Sequence, residues 1–172
     1  MDPGEELMAR IQRIAPCLWF DNQAEEAAKF YVGIFKRSKI TAITRYSKAG
    51  FEIHRQPEGS VMTVAFELDG QSLTALNGGP LFKFNEAVSL QVYCPTQKEI
   101  DYYWERLGEG GDPKSRQCGW LKDKYGLCWQ VVPPGMEKML KDHKSAKAQR
   151  AMAAVMQMKK FDLAALKRAV KG

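Results

Sequence analysis

Apolar and polar positions follow one pattern that the chain uses twice. Residues 11–20 alternate like a strand, with Ile14, Pro16, Leu18 and Phe20 on one side and Cys17 and Trp19 on the other. Pro16 then has to sit where the ladder needs no N–H. Ala24, Ala27, Ala28, Tyr31, Ile34 and Phe35 recur at helical spacing, and Asn22 with Glu25 three residues on has the form of a capping box. Residues 38–46 (SKITAITRY) are rich in β-branched side chains and predict a strand. A polar loop over 48–59 carries His54 and Pro57. Residues 60–68 and 71–77 then predict two strands joined by Asp69-Gly70, a hairpin signal. Asn77-Gly78-Gly79-Pro80 ends this half.

The pattern restarts at residues 87–94 (AVSLQVYC), a predicted strand, followed by Thr96 and Glu99 in a second capping box. Ile100, Tyr103, Trp104 and Leu107 line one face of the helix behind it. The two predicted caps, Asn22 and Thr96, lie 74 residues apart. Two βαβββ modules follow, over residues 11–80 and 81–134, in one structural domain. The second is abbreviated, because residues 108–116 carry too much glycine and charge for a full strand. It closes with residues 117–134 (QCGWLKDKYGLCWQVVPP), two strands folded back through the turn at Asp123 to Gly126. Beyond Pro133-Pro134 the composition shifts to Ala, Lys and Met and predicts helices over 136–140, 145–158 and 163–170, the last capped by Asp162. Met152, Val155 and Met156 form one stripe and Leu163, Leu166 and Val170 another, read as packing surface against the sheet or a second subunit. Residues 1–10 read as a flexible lead-in.

Composition changes this picture only at the tail. The 172 residues are 45% hydrophobic and 27% charged, as in folded globular chains. No apolar run approaches the ~18 residues a membrane span needs, and the first residues lack the apolar stretch of a secretory signal, so a cytoplasmic protein is expected. Cys17, Cys94, Cys118 and Cys128 form no C-x-x-C pair and read as half-buried thiols, Cys118 beside the hairpin being the one to test for reactivity. Residues 134–172 hold ten basic and three acidic side chains, a net +7 within a total of +6, so the body is close to neutral. Such a tail can meet phosphates, but Phe161 is its only aromatic, and nucleic acid is not the expected partner.

The strings PCLWFDNQAEEAAKFY, ALNGGP, AVSLQVYC and, above all, QCGWLKDKYGLCWQVVP resemble the PhnB-like branch, labelled demethylubiquinone methyltransferase-like, of the glyoxalase, bleomycin-resistance and dioxygenase (vicinal oxygen chelate) superfamily, over about residues 11–133. The resemblance implies an α+β fold of paired βαβββ modules enclosing a cleft, and a homodimer. In metal-using members His, Glu or Gln side chains on the first and last strands hold a divalent ion. Carried over position by position, those ligands fall on Pro16, on Ala75 or Leu76, on residues 87–89, and on Gln130. Only Gln130 offers a donor, and one amide oxygen does not hold a divalent ion. His54 and His143 match no such position and read as exposed. The expectation is a metal-free cleft without a cofactor.

Methylation from S-adenosylmethionine generally uses a glycine-rich turn after a strand. Here Gly108-Glu109-Gly110-Gly111 follows a helix instead, so the methyltransferase label finds no match in the residues. The candidate ligand contacts are the neutral groups Gln130, Asn77, Gln91 and Ser89, with Trp120, Phe20 and Cys118 around them, a small set of placed polar groups in an apolar wall. Leu18 belongs to the same expected wall. Asp123 is read as a turn residue and Glu67 as a strand-edge residue facing solvent. The sequence predicts small-molecule binding, the alternative being a divalent-metal-dependent lyase, isomerase or dioxygenase of the same superfamily.

Overall fold

The computed structural model describes residues 12–171, so the predicted lead-in lies outside the described residues. The chain divides into two compact units that meet at Lys83 and Phe84.

The first unit is a four-stranded sheet in the order β1-β4-β3-β2, built from β1 (Cys17–Phe20), β2 (Lys39–Arg45), β3 (Val61–Leu68) and β4 (Gln71–Asn77). β1 runs parallel to β4 and the other pairs are antiparallel. Alternation gives the sheet two unlike faces. Leu18, Phe20, Val64, Phe66, Leu73 and Ala75 are buried beneath helix α1 (Ala24–Ile34), whose own buried stripe is Ala24, Ala27, Ala28, Tyr31 and Ile34. The Tyr31 and Phe66 rings stack at 6.4 Å. β1 is shorter than its alternation suggests. Pro16 contributes only its carbonyl, which accepts the Thr74 N–H at 3.0 Å, so a residue without an N–H fits there. Within the predicted 48–59 loop, residues Phe51–His54 form one short helix, α2.

The start of α1 departs from the sequence expectation. Gln23, not Asn22, is the cap residue, and its side chain makes no capping bond. The Ala24 N–H instead donates to Asn77 Oδ1 at 2.8 Å. Asn77 reaches that point because it pairs with Phe20 across β1 and β4, which brings its amide to the first turn of the helix, while Asn22 lies exposed in the connecting bend.

The second unit is a three-stranded sheet in the order β5-β7-β6, from β5 (Ser89–Tyr93), β6 (Trp120–Lys122) and β7 (Cys128–Val132). β5 is parallel to β7 and β6 is antiparallel to it. Helix α3 (Gln97–Gly108) starts with the predicted capping box: Thr96 and Glu99 each bond the other's backbone. It buries Ile100, Trp104 and Leu107 against the face carrying Val92, Leu121, Trp129 and Val131, all buried. The abbreviated segment after α3 contains a single 3-10 turn, Pro113–Ser115. Arg116 follows it, donating to the Gly108 carbonyl at 2.8 Å with its guanidinium 5.9 Å over the Trp104 ring. A cation placed there complements the negative end of the helix.

The tail folds as α4 (Met136–Leu140), α5 (Ala146–Met156) and α6 (Leu163–Lys171). Ser145 and Asp162 cap the last two through bonds to the Ala148 and Ala165 N–H groups. The buried stripe of α5 is Ala148, Ala151 and Val155. Met152 and Met156, expected in it, are 43% and 55% exposed; the small alanines are what permit close approach on the packed side. The tail grips the hairpin through the chain between α5 and α6. Cys118 and Gly119 donate their N–H groups to Met158 and Lys159 at 2.8 Å each, and Phe161 lies against Gly119.

Among the described residues, no helix is long and apolar enough to cross a membrane.

Candidate functional site

The face of the second sheet opposite α3 gathers neutral polar groups in register. The ladder pairs Gln91 with Gln130 and Ser89 with Cys128 across β5 and β7, and Gln130 with Trp120 and Cys128 with Lys122 across β7 and β6. One row is therefore Gln91, Gln130 and Trp120, and the next is Ser89, Cys128 and Lys122. Partners in a ladder share a face, and alternate residues along a strand return to it, so Tyr93 belongs to the same side. The residues between them, Leu90, Val92, Leu121, Trp129 and Val131, point to the α3 side.

These groups form a continuous hydrogen-bonded chain. The Tyr93 hydroxyl donates to Gln91 Oε1 at 2.8 Å. Gln91 Nε2 donates to Gln130 Oε1 at 3.3 Å, and Gln130 Nε2 donates to Ser89 Oγ at 2.8 Å. Gln130 is half-buried and Gln91 and Tyr93 are exposed. Charge on this face is already paired, since Lys122 bonds Glu86. That bond holds the Glu86 carboxyl below its ordinary range and raises the Lys122 ammonium. Cys128 is buried, and burial pushes its thiol up.

The turn that aligns β6 with β7 is built on Asp123, which is 3% exposed. Its Oδ1 accepts the Tyr125 and Leu127 N–H groups at 2.9 and 3.1 Å, and its Oδ2 accepts the Trp129 indole N–H at 2.8 Å. Asp123 is thus the expected turn residue, and it also anchors the Trp129 ring in the core.

Of the residues predicted to contact a ligand, Gln130, Gln91, Ser89 and Trp120 come together on this face. Phe20, 3% exposed, lies on the helix side of the first sheet with Leu18, not in a pocket wall. Trp19 and Cys17 take the opposite side of β1. Asn77 is buried, with its amide oxygen on Ala24 and its amide nitrogen on the Val61 carbonyl at 3.0 Å, while its own carbonyl accepts the Tyr46 hydroxyl at 2.6 Å. It is a strut for α1. Cys118 sits at the hairpin end in a left-handed conformation (φ 50°), with its sulfur 3.9 Å from Met156 Sδ. Cys17 is exposed and Cys94 and Cys128 are buried, all four thiols being free, so the thiols are not uniformly half-buried. His54, read as exposed, is half-buried: Nδ1 accepts the Gln56 N–H at 3.0 Å and the ring lies 4.5 Å from that of Tyr46. Glu67 is half-buried and pairs with Lys39 at 3.6 Å. Tyr93 escaped the sequence reading, although the two-residue period from Ser89 through Gln91 points to it.

A divalent ion does not fit these donors. Gln130 Oε1 is taken by Gln91, Ala75 is buried under α1, and Pro16 has no donor side chain. Among the described residues, no three His, Cys, Asp or Glu side chains come together in a group able to hold a metal. Hard divalent cations need several converging oxygen or nitrogen ligands.

An α+β chain with two small sheets, each covered by one helix, and added C-terminal helices has the glyoxalase/bleomycin-resistance class of fold. Within it the chain belongs to the 3-demethylubiquinone-9 3-methyltransferase family, whose model matches residues 12–132. A PhnB protein from Bacillus cereus that carries the same family name is 36% identical, with 71% of this chain and 99% of that one covered and a TM-score of 0.60. Protein PA1353 from Pseudomonas aeruginosa shares the fold, at 19% identity, with 72% and 98% covered and a TM-score of 0.54. The fosfomycin resistance protein FosX from Listeria monocytogenes, solved with Mn(II) and 1S,2S-dihydroxypropylphosphonic acid, is 17% identical, with 77% and 98% covered and a TM-score of 0.49. No curated protein matches the chain.

Proposed function

We propose that this protein binds a small organic molecule on the face of its second sheet opposite α3, holding it by neutral hydrogen bonds and aromatic contact rather than through a resident divalent ion. The observation that carries this reading is the Tyr93–Gln91–Gln130–Ser89 chain, laid out in register beside Trp120 on the one face of that sheet that α3 does not cover. A few placed polar groups next to aromatic surface are what small-molecule sites consist of. Such groups have no role in packing the helix, which is fully served by the opposite face. Methyl transfer, which the family name carries, finds no support in the turns here. β1 leads into Asp21-Asn22-Gln23 and β5 into Cys94-Pro95-Thr96, neither of them a glycine-rich phosphate loop.

The test is a fragment screen by ligand-observed NMR on the wild type and on Gln130→Leu and Trp120→Leu. Fragments that bind the wild type should lose about tenfold or more in affinity in either variant, a tenfold change being ~1.4 kcal/mol. Binding indifferent to both substitutions would overturn the assignment of the site. Metal analysis of protein purified without chelator bears on the other half of the reading, which one tightly held divalent ion per chain would overturn.

A further inference from the structure

We propose that the ligand is an uncharged, planar, conjugated molecule whose hydrogen-bond acceptor takes the Ser89 hydroxyl proton while its ring lies on Trp120; this rests on the binding reading above and sharpens it. Tyr93 donates to Gln91, Gln91 to Gln130 and Gln130 to Ser89 Oγ. Every bond runs the same way, so the chain ends on a hydroxyl that has accepted a bond and still holds its own proton. Among the described residues, no acceptor takes that proton. Hydrogen bonds in series polarise one another, which makes the terminal O–H a better donor than an isolated serine. The group that matches it is an acceptor such as a carbonyl or ring-nitrogen lone pair.

Charge narrows the class further. The cation on this face, Lys122, already bonds Glu86. An anionic ligand would have to break that pair or be desolvated without a counter-charge, and both are costly. A cationic ligand meets only neutral amides and hydroxyls, because the Glu86 carboxylate is spent on Lys122. A neutral ligand avoids either cost.

Size and shape follow from the ladder. Ser89 stands on β5 and Trp120 on β6, with β7 between them. Neighbouring strands lie about 4.8 Å apart, so the two side chains are separated by roughly 10 Å across the sheet. A fused two-ring system with a polar edge bridges that span, and a single small group does not. Trp120 offers a flat surface for offset stacking.

Titrations of the wild type, Ser89→Ala and Ser89→Thr followed by two-dimensional amide NMR decide the point, with 2-quinolone as the neutral planar lactam and quinoline-2-carboxylate as its anionic counterpart. The wild type should bind 2-quinolone at least about tenfold more tightly than the carboxylate. Ser89→Ala should weaken 2-quinolone about tenfold and leave the carboxylate unchanged, and Ser89→Thr, which keeps the hydroxyl, should restore most of the loss. Equal or tighter binding of the carboxylate overturns the proposal, and so does a Ser89→Ala variant that binds 2-quinolone like the wild type or a wild type that binds neither probe. In that last case the fragment screen separates the two readings. Fragments of other chemistry lost in Gln130→Leu would leave the binding site standing and remove only the ligand class, whereas an empty screen would remove both.

Discussion

The two units solve the same problem, seating one helix on one small sheet, with opposite means. In the second unit the helix is started by its own neighbours: Thr96 and Glu99, three residues apart, satisfy each other's backbone. In the first unit the helix start is satisfied from 53 residues away, by the Asn77 amide at the end of the last strand. The local solution leaves α3 independent of the sheet edge, so the second unit could lose a strand and still start its helix. The distant solution ties α1 to the full length of β4, and all four strands of the first sheet are kept. The second unit, with three strands, has other fixings: the Asp123 turn, the Arg116 cap and the grip of the tail on Gly119.

The sharpest way to test this contrast is Asp123→Ala. Two backbone N–H groups and the Trp129 indole lose a buried acceptor, so the loss should exceed about 3 kcal/mol in urea unfolding. A loss under about 1 kcal/mol would mean the turn does not organise the second sheet. Next in size is Asn77→Ala, expected to cost about 2 kcal/mol because it strands the buried Ala24 N–H and the half-buried Val61 carbonyl. Hydrogen exchange should place that loss at the first turn of α1. Thr96→Ala should cost about 1 kcal/mol, an ordinary capping loss, while Asn22→Ala should stay within about 0.5 kcal/mol. If Asn22 proved costlier than Asn77, the distant cap would be refuted.

The smallest effect concerns the tail. Lys160 bonds Asp101 on α3, and that bond, followed by one from Gln97, holds the Asp101 carboxyl below its ordinary value of 3.8. A lowered carboxyl stabilises the fold fully above its unfolded value, and the contribution is lost as pH falls through the lower folded value. Asp101→Asn should therefore cost about 0.5 kcal/mol or less at neutral pH. The gap from wild type should close only below about pH 3.8. A gap that persists at pH 2 would assign the loss to packing instead of charge.

What could be read from the residues was what lies close along the chain. Asp69-Gly70, the Thr96 box and the cap at Asp162 all stand where spacing puts them, because each is fixed by near neighbours; Ser145, expected as the first residue of its helix, is instead the cap. Gln91, Ser89 and Gln130 were legible for a related reason: a period of two fixes which residues share a face. That period does not say which face the helix covers. In β1 both sets are apolar, Leu18 and Phe20 against Cys17 and Trp19, so the period alone puts Phe20 in a pocket wall, whereas it lies in the core. The cap from Asn77 and the exposure of Met152 and Met156 depend on pairings between distant segments, which no local pattern encodes. Asn22 had the right chemistry and spacing but was displaced by a better-placed amide.

Gly119 has a consequence for the order in which the molecule is made. Its φ of 83° and the closeness of Phe161, 2.6 Å from where a Cβ would stand, mark a joint that closes only when both strands of chain are present. During synthesis α1 and the first sheet have the partners described above once Asn77 and Gly79 have emerged. The second must wait for Phe161, about forty residues after Gly119. At ordinary translation rates that is roughly two to eight seconds. Through that interval the hairpin is finished but its docking site for the tail is bare.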